Sequence, residues 1–87
     1  MSYTLHYGPG VERDMSRLPQ RVLARVDRTI LALVDTPRPP GCKKLAGQSR
    51  LYRVRVSDWR IVYEIVDPQR IIIVLIVGHR REVYRGL

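Results

Sequence analysis

The sequence predicts an α+β fold, a helical hairpin packed on one face of a four-stranded, antiparallel-rich sheet in the order β-α-α-β-β-β. Three stretches carry that expectation. Leu51 to Val66, LYRVRVSDWRIVYEIV, alternates apolar and charged residues on both sides of Ser57-Asp58, as a β-hairpin does. Ile71 to Val77 is apolar at every position, as in a strand covered on both faces, and is expected to be the most central strand. Between Val11 and Val34 the apolar residues instead recur at helical spacing.

In chain order, Tyr3, Leu5 and Tyr7 alternate with Thr4 and His6, a short strand that stops at Gly8-Pro9-Gly10. Val11, Met15 and Leu18 then mark one face of a short helix, closed by Pro19, which suits the first turn of a second. That second helix carries Val22, Val26, Ile30, Leu33 and Val34 on one side. Arg21, Arg25 and Arg28 form a separate stripe whose ordinary role is solvation. The helix is expected to end near Asp35, because the stretch Pro37-Arg38-Pro39-Pro40-Gly41 cannot continue it and reads as a crossover loop.

If Ser57 and Asp58 form a two-residue loop, parity fixes the faces of the hairpin. Val56 lies opposite Trp59, Val54 opposite Ile61 and Tyr52 opposite Tyr63, all on the core side. The same register sets Arg55 directly against Arg60 on the other side, with Arg53 two residues away. Like charges placed so destabilise a ladder by a few tenths to about 1 kcal/mol, and two readings fit: a site for a polyanion, where local rules are expected to fail, or the solvated face of a half-exposed sheet. After Asp67-Pro68-Gln69-Arg70, pairing Val66 with Ile71 would place Arg60 opposite Val77. Gly78-His79-Arg80-Arg81 would then arrive at the arginine end of the sheet. The helices can cover one face only, leaving the arginine face open.

Composition narrows the function. The 87 residues make one domain, 1–87, with 45% hydrophobic residues and a net charge of +8. Residues 38–87 hold eleven basic residues against four acidic ones, so this part carries +7 of the +8. Such asymmetry points to nucleic acid or an acidic protein partner. The longest apolar run is far too short to span a bilayer, so no membrane association is expected. One cysteine, Cys42, excludes an intrachain disulfide, and the amino terminus has no signal-peptide pattern, so the cytoplasm is the expected location. Two distant histidines, one cysteine and scattered carboxylates offer no metal-ligand spacing, and no cofactor or small-molecule ligand is expected.

What remains is a cluster of Arg53, Arg55, Arg60 and Arg80, with Arg81, His79 and Tyr84 close in sequence. Guanidiniums grip phosphate bidentately and stabilise charge that builds on its oxygens. DNA cleavage ordinarily wants a metal to supply a nucleophile, whereas RNA carries its own in the 2′-hydroxyl. A cationic site without metal ligands therefore points to RNA. Neighbouring positive charge favours a tyrosine phenolate, which suits Tyr84 to act as general base, and His79 could protonate the leaving oxygen.

Lys44-Leu45-Ala46-Gly47, the run from Leu51 to Asp67, and VGHRREVYR from Val77 to Arg85 together resemble the RelE/ParE toxin superfamily of bacterial toxin–antitoxin pairs, RelE-type toxins in particular. The resemblance covers nearly the whole chain and implies the RelE-like α+β fold. It also implies an mRNA interferase that enters the ribosomal A site and cleaves the codon there by 2′-hydroxyl attack. Arg60 and Arg80 match the family's transition-state arginines, Tyr84 its general base, and Arg53 and Arg55 its basic residues for substrate phosphate and leaving group. Lys43, Lys44 and Arg81 would add contacts to RNA phosphate or ribosome. The implied partner is an acidic, RelB-like antitoxin. Several relatives have lysines where this chain has Arg53 and Arg55, and guanidinium is a poor proton donor. Proton donation then falls to His79 or water. Two alternatives use the same residues differently: a ParE-like toxin that binds DNA gyrase, and a non-catalytic RNA- or ribosome-binding module.

Overall fold

The fold was analysed in a computed structural model, which describes residues 2–47 and 50–83. The elements are β1 (Thr4–Tyr7), α1 (Val11–Ser16), α2 (Gln20–Leu33), β2 (Lys43–Lys44), β3 (Leu51–Val56), β4 (Trp59–Val66) and β5 (Ile71–His79). The sheet has five strands in the order β1-β5-β4-β3-β2, with β1 parallel to β5 and the other pairs antiparallel. The α+β class and the helical hairpin are as the sequence predicts, but there is one strand more. Lys43–Lys44 pairs with Arg53 and Tyr52 as a two-residue edge strand, too short to show any alternation. The expectation that Ile71–Val77 is most central also needs correction. β4 occupies the middle, and β5 lies between it and β1.

Gly8 lets β1 turn away from β5 at close range: a Cβ there would stand 3.2 Å from both the Val74 oxygen and Leu75 Cδ2. α1 follows from Gly10, whose φ of +91° suits glycine. Pro19, expected in the first helical turn, is instead the residue just before α2, with ψ 145°. The helices and sheet enclose one core. Val11, Leu18, Val26, Ile30 and Leu33 meet Val54, Val56, Ile61, Tyr63, Ile65, Ile72, Val74 and Val77. Where β5 runs beyond β1, Asp14 of α1 takes over as partner and accepts a hydrogen bond from the Val77 amide, 3.1 Å. Arg21, Arg25 and Arg28 are exposed, as a solvated stripe should be.

The β3–β4 register is the predicted one at every position, with Ser57 at φ 57° in the two-residue loop. Val66 also pairs with Ile71 as expected, but the β4–β5 ladder then slips. Val62 pairs with Ile76 while Tyr63 pairs with Val74, so Leu75 is an extra residue on β5. Arg60 consequently lies opposite Gly78 and not Val77. A strand apolar on both faces has no parity signal from which such a bulge could be read. Its effect is to return Val77 to the core and set Gly78 on the arginine side.

That side is only partly open. Val62, which shares it by register, and Val83 are both buried, yet neither belongs to the main core. After β5 the chain turns back, with the Glu82 and Val83 amides donating to the His79 carbonyl at 2.8 and 3.0 Å. Val83 packs over Gly78, its Cβ 3.7 Å from where a Gly78 Cβ would be. The missing side chain at Gly78 is the space that Val83 uses.

At the other end of the sheet Asp67 closes a clasp. Its carboxylate accepts from Arg38 Nη2 at 2.8 Å and from the Tyr3 hydroxyl at 2.7 Å, while Arg38 lies 5.1 Å from the Tyr52 ring centroid. The hydrogen bonds from Arg38 and Tyr3 hold the Asp67 carboxyl below the usual carboxylate range, and the same contacts raise Arg38 and Tyr3. A depressed folded pKa contributes stability above the unfolded value of about 3.9, lost as pH falls through the folded one. Thermal unfolding from pH 7 to pH 2 should therefore show a smaller acid loss in Asp67→Asn than in wild type. Equal losses would mean that the clasp contributes nothing.

Candidate nucleic-acid interface

The hairpin register assembles a grid of cations on the face away from the helices. Lys43 lies opposite Arg53, and Arg55 opposite Arg60, with Val62 and Gly78 completing the two rows on β4 and β5. Each row therefore opens with two like charges facing one another across a ladder, an arrangement that opposes strand pairing. Among the described residues no carboxylate forms an ion pair with any of these four. Glu64, the one acid of β4, is turned to Arg50 at 3.3 Å.

Arg60 is held by the hairpin loop, Nη1 donating to the carbonyls of Ser57 and Trp59 at 3.2 Å each. Arg80 reaches the same loop through its backbone, whose amide donates to the Asp58 carbonyl at 2.8 Å, and its side chain is exposed. Arg53 lies partly buried, and its Nη1 has no hydrogen-bond partner among the described residues. An unsatisfied buried donor costs about 1–3 kcal/mol, more when charged. Beside it a pocket of about 300 Å³ is lined by Pro40, Gly41, Lys43, Arg53, Val54 and Arg55.

The structure thus brings together Arg53, Arg55 and Arg60 on one end and one side of the sheet, with Lys43 alongside, and ties the Arg80 backbone to the loop at that end. It does not bring Lys44 or His79 to them. Lys44 pairs with Tyr52 and by parity belongs to the opposite face from Lys43. His79 pairs with Trp59 and stands edge-on to it, ring centroids 5.5 Å apart at 83°. Its Nδ1 accepts from the Arg81 amide at 3.3 Å. The slip at Leu75 explains this placement: in the unslipped register Val77 and His79 would share the arginine side, and the extra residue turns both to the other. Trp59 packs against the core, as its parity predicts. Arg81 is exposed in the turn after β5. Tyr84 lies outside the described residues.

Sequence reasoning missed the crossover loop as a wall of the site. The Tyr63 hydroxyl donates to the Pro37 carbonyl at 2.8 Å and Arg38 is clasped by Asp67, so the loop reaches Pro40-Gly41 from a fixed start. Burial, and then the neighbouring Cys42 thiol, push the Tyr63 hydroxyl up, keeping it a neutral donor. A loop of prolines gives no periodic signal, and only the folded sheet shows what it faces.

Chemically, a patch of guanidiniums with no acidic partner can hold a polyanion and stabilise charge developing on phosphate oxygens. Comparison with known proteins agrees in kind. The family described as ParE toxin of type II toxin-antitoxin system, parDE, matches residues 6–84. The chain is similar to toxin RelG of Mycobacterium tuberculosis, 32% identical with 98% of this chain and 99% of that protein covered. It is also similar to mRNA interferase toxin RelE of Escherichia coli K12, 26% identical with 97% and 92% covered. Among solved structures, a chain of the RelBE2 toxin–antitoxin complex from Mycobacterium tuberculosis superposes with a TM-score of 0.80. It shares 28% identity, over 92% of this chain and all of that one.

Proposed function

This chain belongs to the ParE toxin family of type II toxin–antitoxin systems, within the RelE/ParE superfamily, and on that premise we propose that it is an mRNA interferase acting on the ribosome. The observation that carries the reading is the pair Arg55–Arg60, fixed face to face with no carboxylate partner among the described residues. A phosphodiester between the two guanidiniums removes that repulsion and can be gripped bidentately by them.

In this reading the scissile phosphate sits against Arg55, Arg60 and Arg80. The 2′-oxygen of the preceding ribose attacks phosphorus, and its proton passes to the Tyr84 phenolate. The bond from phosphorus to the 5′-oxygen breaks, leaving a 2′,3′-cyclic phosphate and a 5′-hydroxyl. Water donates the proton to the departing oxygen, because His79 stands on the Trp59 side of the sheet. The guanidiniums stabilise the charge on the non-bridging oxygens and need not transfer a proton. An acidic RelB-like antitoxin would cover the same cations and silence them, in keeping with the RelBE complexes among the structural relatives.

The test is to map mRNA 5′ ends in a bacterial cell-free translation reaction, with and without ribosomes. Wild type should cut within codons only when ribosomes are present. Tyr84→Phe should cut about 10²–10⁴-fold more slowly, the usual contribution of a general base. Undiminished cutting by Tyr84→Phe would remove Tyr84 from the mechanism. The match to the ParE description favours one other reading, inhibition of DNA gyrase. Intact mRNA together with blocked gyrase supercoiling would establish that reading instead.

The like-charge pair yields a second expected result. Arg55→Gln should stabilise the fold by a few tenths to about 1 kcal/mol in urea unfolding while slowing cleavage. A destabilised Arg55→Gln would show that the repulsion is already relieved in the free protein.

A further inference from the structure

Resting on the nuclease reading, we infer that the pocket formed by Pro40, Gly41, Lys43, Arg53, Val54 and Arg55 is a second phosphate site, which takes the RNA phosphate next to the scissile one. Three of the six described lining residues are cationic and none of the six is acidic. None of them is an aromatic on which a base could stack, so the nucleic-acid element the pocket suits is the backbone. Two guanidinium forks and an ammonium match a compact anion with several oxygens better than they match a planar carboxylate alone.

Two features mark the pocket as built and not incidental. Lys43 faces Arg53 directly across the β2–β3 ladder, so this edge of the sheet retains a repulsion that an anion between them would reverse. Arg53 also holds Nη1 buried without a partner among the described residues. Turning the guanidinium towards the pocket would give that nitrogen an acceptor, so an arriving phosphate relieves a penalty already present in the free protein. The far wall is set in advance. Gly41 adopts φ +90°, the Cys42 amide donates to the Pro39 carbonyl at 3.0 Å, and the loop starts from the Tyr63 and Arg38 anchors.

Arg55 belongs to both sites, lining the pocket and facing Arg60. Residues two apart on a strand are separated by about 7 Å, close to the spacing of successive phosphates on an unstacked strand. A backbone held at both places is fixed in direction as well as position. The pocket would thus set which bond of a codon meets Arg60 and Arg80, a positioning role separate from the chemistry.

The experiment is titration of the full chain with inorganic phosphate at constant ionic strength, followed by backbone amide shifts in wild type, Lys43→Ala, Arg53→Gln and, as a charge-matched control on the helix face, Arg21→Ala. Saturable shifts centred on Gly41, Lys43 and Arg53 are expected. Affinity should fall about tenfold or more in the two pocket variants and stay within about twofold in Arg21→Ala. Shifts spread over all basic residues without saturation, or equal affinity in all four proteins, would overturn the site. In the cell-free reaction Lys43→Ala should cut more slowly at limiting ribosome concentration and recover most of its rate at saturation. Cutting unaffected by Lys43→Ala at every concentration would overturn the positioning role while leaving the nuclease reading intact. No cutting by wild type would overturn that reading, with the phosphate titration still deciding the pocket.

Discussion

Arg60→Ala is expected to slow mRNA cleavage by about 10²–10³-fold, the usual cost of deleting one preorganised donor to a developing oxyanion, with a modest loss of stability. Arg60 Nη1 makes two hydrogen bonds of 3.2 Å to the Ser57 and Trp59 carbonyls, which the substitution removes. It also removes the charge facing Arg55. Each surface hydrogen bond contributes about 0.5–1.5 kcal/mol and the like-charge pair opposes folding by up to about 1 kcal/mol, so losing two bonds and one repulsion leaves a net loss of about 1–2 kcal/mol. Arg80→Ala should be cleaner. Its anchor to Asp58 is the backbone amide, which alanine keeps, and its side chain is exposed. Single-turnover cleavage of a programmed ribosome complex, with urea unfolding of the same samples, gives both quantities. Normal cleavage in either variant would sink the assignment of these arginines to the transition state.

Arg55 and Arg60 could be placed from the sequence because the hairpin around them is strictly alternating and its loop is two residues long. Under those conditions one assumption, that Ser57 and Asp58 are the loop, determines every pair from Leu51↔Glu64 to Val56↔Trp59. The core followed from the same parity, since Val54, Ile61 and Tyr63 do face Ile30 and Leu33 in one cluster. Legibility ended where the alternation ended. Ile71 to Val77 is apolar at each position, so a bulge at Leu75 leaves no mark in the sequence, and Gly78 in place of Val77 opposite Arg60 is a product of the fold alone. Lys43–Lys44 is likewise too short to announce a strand, which is why its two lysines looked equivalent when parity sends them to opposite faces. His79 was misjudged for the same reason. With Val77 opposite Arg60 it would have shared the arginine face, but the bulge turns it to the other side, where the ring meets Trp59.

The second large effect is on the fold. Ile72→Ala should cost about 2–5 kcal/mol, the range for emptying a large aliphatic site in a packed interior. Ile72 is fully buried and lies between Leu5 of β1 and Ile65 of β4, so the cavity would open where the parallel and antiparallel halves of the sheet join. An 87-residue domain has roughly 4–13 kcal/mol of stability in all, so this one change could remove half of it. Leu31→Ala is the control: Leu31 is 61% exposed, and a change there should stay within about 0.5 kcal/mol. Urea unfolding should show the Ile72→Ala midpoint falling with an unchanged slope. A loss below about 1 kcal/mol would mean that the site collapses around the smaller side chain. The cleavage rate per folded molecule should stay close to wild type, since Ile72 is on the helix side of the sheet and the cations are on the other. Arg80→Ala reverses that pattern, losing rate and keeping the midpoint. If the Ile72 variant also lost its rate per folded molecule, the register that sets Arg60 against Arg55 and Gly78 would have to depend on packing at the β1–β5 join, and the two faces of the sheet could not be treated as independent.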